Sequence, residues 1–79
     1  MEFPVHESLK VIRGTTIFKT DDWWKAIILA EGYKGKEVSI YLWKKKGDSW
    51  KRQQKYTVRR KKDWEFDKKF MNEFVKELE

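Results

Sequence analysis

The hydrophobic pattern of this chain changes period at Asp63. Upstream, apolar residues alternate with polar ones or run in short β-branched stretches. Downstream, Trp64, Phe66, Phe70, Met71, Phe74, Val75 and Leu78 recur at helical spacing. Strand-like segments followed by one helix predict a segregated α+β fold rather than alternating β-α units. The 79 residues allow one domain, and a chain of this size buries only about 60% of its unfolded surface. The core must be thin, and there is no cysteine to staple it. Large rings have to supply the burial, and Trp, Phe and Tyr number 5, 5 and 3.

Residues 1–7 read as a loose lead-in, 8–60 as a sheet and 63–79 as a helix. Leu9-Lys10-Val11-Ile12-Arg13 reads as the first strand, with Thr15–Phe18 continuing or bending it. Thr20-Asp21-Asp22 is turn chemistry. Trp23–Ala30 is apolar on both faces apart from Lys25, which suits the centre of a sheet. Glu31–Gly35 reads as a loop, Glu37–Lys45 as the third strand and Ser49–Arg60 as the fourth, with a tight hairpin at Lys46-Gly47-Asp48. Asp63 is the expected N-cap, with Glu65 and Asp67 adding negative charge to the first turn. The expected fold is a four-stranded antiparallel sheet followed by one C-terminal helix packed on one face.

Charge is segregated along the chain. The total is +6, but residues 34–62 carry twelve basic and two acidic groups, a local +10. Residues 1–33 and 63–79 are slightly acidic. Like charges at this density repel, so the basic stretch predicts a surface that meets a polyanion.

Parity along the strands decides which side chains share a face. Val38, Ile40 and Leu42 form one set of the third strand and are the expected core; Tyr41, Trp43 and Lys45 belong to the other. A three-residue loop at Gly47 sets the aliphatic set beside Tyr56 and Val58. A two-residue Gly47-Asp48 loop would instead place Lys51 and Lys55 against it, burying unpaired charge. The first register predicts a binding face of Tyr41, Trp43, Lys45, Lys51, Gln53, Lys55 and Arg59. Rings among cations suit single-stranded DNA or RNA, with bases stacked on the rings and phosphates on the cations. The alternatives are a duplex-DNA architectural protein and a protein-interaction subunit that uses the exposed aromatics.

The seven apolar residues of the helix span an arc of about 180°, wider than the ~100° of an ordinary surface helix. The excess predicts a homodimer through the C-terminal helix. His6 is the only histidine, Asp21-Asp22 diverge, and Gly32 and Gly35 lack any phosphate-loop context. No enzyme, metal site or cofactor is expected. The basic residues sit on strands rather than on an amphipathic helix, which disfavours a membrane partner. The longest apolar run, Ala26–Ala30, is too short to span a bilayer and the start lacks a signal-peptide layout, so the expected location is the cytoplasm. Abundant Lys and Glu, scarce amides and absent Cys are a bias shared with heat-adapted proteins.

The basic-aromatic hairpin of Lys36–Lys45 and Ser49–Arg60, followed by a helix from Asp63 that opens with Trp64, resembles the archaeal single-strand-binding proteins of the ThermoDBP-related type. More loosely it is similar to the coactivator family called positive cofactor four. The likeness spans roughly residues 8–79 and is one of layout. It implies four strands and a helix, a dimer, and single strands bound across the sheet. Arg59-Arg60-Lys61-Lys62 stands where the second family carries a glycine- and lysine-rich segment, and the long leucine-rich tail of the larger ThermoDBP proteins is missing.

Overall fold

The computed structural model describes residues 3–78. Residues 1, 2 and 79, at the ends of the expected lead-in and helix, lie outside the described residues. Four strands, β1 (Lys10–Lys19), β2 (Trp23–Gly32), β3 (Gly35–Lys46) and β4 (Ser49–Val58), form an antiparallel meander in the order β1-β2-β3-β4. The helix α1 (Lys61–Phe74) follows, extended by a single 3-10 turn, Val75–Glu77. The expected α+β architecture is present, and β2, apolar on both faces, is central. The molecule is a slab of 38 × 34 × 17 Å.

The helix begins earlier than its capping chemistry predicts. Arg60 occupies the N-cap position without a side-chain cap, and Asp63 falls inside the first turn. There its carboxylate accepts two hydrogen bonds from the Arg60 guanidinium, each 3.1 Å. Negative charge in the first turn opposes the helix dipole from either position, so the sequence pattern does not separate them. The helix overhangs the aliphatic sheet face instead of sealing it. Among the strands it touches only β4, and none of its residues is fully buried.

The hairpin resolves the register in an unforeseen way. The loop has two residues, since Lys46 pairs with Ser49. Gly47 takes a φ of +62° and Asp48 has no positive φ, the pattern of a type II′ turn. This is the loop the sequence reading rejects, because it turns Lys51 toward the aliphatic face. Lys51 does lie there, opposite Lys44. A bulge then restores the other pairs: Trp43 faces Arg52 while Leu42 faces Gln54, leaving Gln53 as the extra residue. Beyond it Tyr41 pairs with Lys55, Ile40 with Tyr56 and Val38 with Val58, as expected.

The core lies on the face opposite the one predicted. Trp24, Ala26, Ile28, Ala30, Tyr41 and Trp43 are buried, whereas Val38 is 41% exposed and Ile27 39%. The cover comes from the lead-in. Phe3, Val5 and Leu9 pack on this cluster, with Trp50 at its margin. The lead-in is therefore a strap across the sheet and not a loose end over its described part. Two apolar faces compete for one cover, and the aromatic one offers more area per residue to bury.

Candidate nucleic-acid interface

The seven residues expected to form one open face are divided. Tyr41 and Trp43 are only 3% and 1% exposed. Their rings stack with centroids 5.0 Å apart and planes at 11°, and Phe3 extends the column at 6.5 Å and 25° to Trp43. The expectation that both rings are free platforms is overturned, because alternation along β3 fixes which side chains share a face but not which face is covered.

Lys45, Lys55 and Arg59 stay on the Tyr41 side. Lys55 Nζ lies 5.3 Å from the Tyr41 ring centre and 3.4 Å from Glu37 Oε2. Arg59 donates to Glu37 Oε1 at 3.2 Å. Glu37 is a buried carboxylate between two cations, and Ser39 Oγ donates to it as well. Lys51 is on the opposite face, and Gln53 is taken up by the bulge, where its amide lies 3.5 Å from the Lys51 carbonyl.

The hairpin end holds a denser group. Lys44, Lys45, Lys46, Lys51 and Arg52 surround the Gly47-Asp48 turn, all exposed. Among the described residues none of the five forms a salt bridge. Two tryptophans stand among them. Trp50 is half-buried, edge-on to Trp24, with Lys45 Nζ 5.4 Å and Lys19 Nζ 5.7 Å from its ring centre. Trp23 pairs with Lys44, whose ammonium lies 5.4 Å from its ring. Trp23, Trp50, Lys44, Lys46 and Arg52 are the members outside the face expected from the sequence. The run Lys44-Lys45-Lys46 is visible in the chain, but only the two-residue turn brings Trp50, Lys51 and Arg52 beside it.

A second surface lies under the start of α1. A cleft of about 340 Å³ is floored by Ile27, Val38, Ile40 and Val58, flanked by Tyr56 and Trp64, and rimmed by Arg59 and Lys61. The Tyr56 hydroxyl donates to Asp67, and that bond pushes its pKa up to about 12. Farther out, Phe66, Phe70, Met71 and Phe74 are 50–64% exposed.

Among the described residues no group of three or more His, Cys, Asp or Glu could hold a metal ion, and no helix is long and apolar enough to cross a membrane. Comparison with protein-family models, curated proteins and solved structures found no match.

Proposed function

We propose that this chain binds single-stranded DNA or RNA without catalysis, holding the phosphate backbone on the β3–β4 hairpin with little sequence preference. The observation that carries this reading is the set Lys44, Lys45, Lys46, Lys51 and Arg52, five exposed cations without a carboxylate partner among the described residues. Cations kept unpaired at this density cost stability through mutual repulsion, and phosphates remove that cost. Trp50 favours a single strand over a duplex. It is a half-buried ring near the Lys19 and Lys45 ammonium groups, and an unpaired base stacked on it would gain about 1–3 kcal/mol.

The reading includes a homodimer. Ile27, Val38 and Tyr56 on the sheet and Phe66, Phe70, Met71 and Phe74 on the helix are all more than a third exposed. Monomers rarely leave apolar patches larger than a few hundred Å² in water. A second copy, presenting the same apolar helix, supplies a matching cover. The likeness to the ThermoDBP-related and positive-cofactor-four-like proteins belongs to the same proposal, as does a cytoplasmic location, where such a ligand is met.

Binding to single-stranded and duplex oligonucleotides of equal length, followed by Trp emission as salt is raised, tests the reading. Affinity should fall steeply with salt, and quenching should be larger with the single strand. Equal affinity without quenching would favour the duplex alternative. A flat salt dependence would remove nucleic acid as the ligand.

A further inference from the structure

We propose that residues 3–9 form a displaceable strap over a second base-binding subsite, in which Tyr41 and Trp43 stack an unpaired base once Phe3 leaves. The inference rests on the nucleic-acid reading and assigns to the covered face what the hairpin cations alone cannot supply.

Tyr41, Trp43 and Phe3 form a column of near-parallel rings, with successive centroids 5.0 and 6.5 Å apart. Phe3 packs against Trp43 and, at 5.6 Å, against Trp24, so it blocks the approach of a base to these rings. The ring also fits a notch in β1: a Cβ built on Gly14 would come within 2.5 Å of Phe3 Cε2. A glycine inside a strand marks such a close approach.

Among the described residues the strap is held on the sheet by apolar packing. Its contacts with the core are made by Phe3, Val5 and Leu9, all apolar. The hydrogen bonds that residues 3–9 make among the described residues are with one another, such as Val5 N–H to the Phe3 carbonyl and Leu9 N–H to that of His6. Among the described residues, lifting the segment breaks no hydrogen bond of the strand ladder.

Cations stand beside the covered rings. Lys19 lies 4.0 Å from the Trp24 ring centre, Lys55 lies 5.3 Å from that of Tyr41, and Arg52 pairs with Trp43. Phosphates flanking a base on this column would meet cations on both sides. Trp43 Nε1 is buried without a hydrogen-bond partner, a donor that an incoming base or phosphate can satisfy.

Phe3 and a base compete for one surface, so affinity for a single strand is reduced by the fraction of molecules with the strap closed. Two full-chain variants open it differently. Phe3→Ala removes the competing ring. Gly14→Ala leaves every core side chain in place and pushes Phe3 from its notch. Each is titrated with oligothymidine and with a duplex of equal length, after circular dichroism has verified the sheet. Both should bind oligothymidine more tightly, by about tenfold, with deeper Trp quenching and unchanged duplex affinity. Salt-dependent binding with no gain for the single strand in either variant overturns the strap and leaves the nucleic-acid reading standing. Loss of the fold in both variants also overturns it, since the segment would then be a fixed part of the core. If neither the native chain nor the variants bind in a salt-dependent way, both readings fall.

Discussion

Tyr41 and Trp43, two residues apart on β3, stack with ring planes 11° apart and are almost wholly shielded from water. Their side chains share one face of the strand, and its twist brings the two rings together. The cover here is a chain segment with three apolar side chains, and the consequence is a core built mainly from rings.

Trp43→Ala should therefore strike the fold before it strikes any ligand. Trp43 is 1% exposed and touches Tyr41, Trp24 and Phe3. Truncating a buried Trp costs about 3–5 kcal/mol, a large share of what a small domain has. Urea denaturation should show the midpoint collapsing; a native midpoint would refute the buried placement.

Glu37→Gln separates structure from binding. The Glu37 side chain is 7% exposed, while its partners Lys55 and Arg59 are 24% and 50% exposed and can turn to solvent. The loss should be about 1–2 kcal/mol, below the ~3–5 for a fully buried pair. Two cations are released, so nucleic-acid affinity should rise while stability falls. Titration and denaturation of the same variant check both; a loss of affinity would show that the pair positions the interface.

Phe70→Glu tests assembly. Phe70 is half exposed in the single chain, so the substitution should spare the protomer fold yet place charge in the apolar contact between copies. Sedimentation should show dimer for the native chain at micromolar concentration and monomer for the variant. A native chain that stays monomeric at high concentration contradicts the dimer.

Tyr56 gives the helix a pH dependence. Its hydrogen bond to Asp67, with the nearby charges of Asp67 and Asp63, raises its pKa from 10.0 to about 12. A folded-state pKa above the unfolded one contributes stability below the unfolded value and loses it as pH rises through the folded one. Docking of α1 on β4 should hold to about pH 10 and loosen toward 12. Far-UV circular dichroism across this range reads the helix, and Tyr56→Phe should remove the part of the dependence that Tyr56 supplies.

The strands, their order and the final helix were legible because alternation and its change at Asp63 are local signals. The pairing of Val38 and Ile40 with Val58 and Tyr56 was legible from the alternation of both strands, although the loop that delivers it is shorter than expected and the face it forms is left open. What parity hides is which apolar face of β3 is covered. The deciding piece, Phe3-Pro4-Val5, has no periodicity and packs across the chain. One sequence signal could have pointed to it: Gly14 in the middle of β1, where a missing side chain implies a close neighbour. The Gln53 bulge had no such signal. It decouples loop length from register, so a two-residue turn and the favourable pairing coexist.

The central claim is that the hairpin cations hold phosphates, and the slope of log affinity against log salt tests it most directly. Lys45→Ala and Arg52→Ala, titrated with one single-stranded oligonucleotide, should each flatten the slope by about 0.7, the value of one phosphate contact. Lys68→Ala, which removes a cation already paired with Glu65 on the helix, should leave it unchanged. Slopes for both hairpin variants equal to that of the native chain would contradict the account.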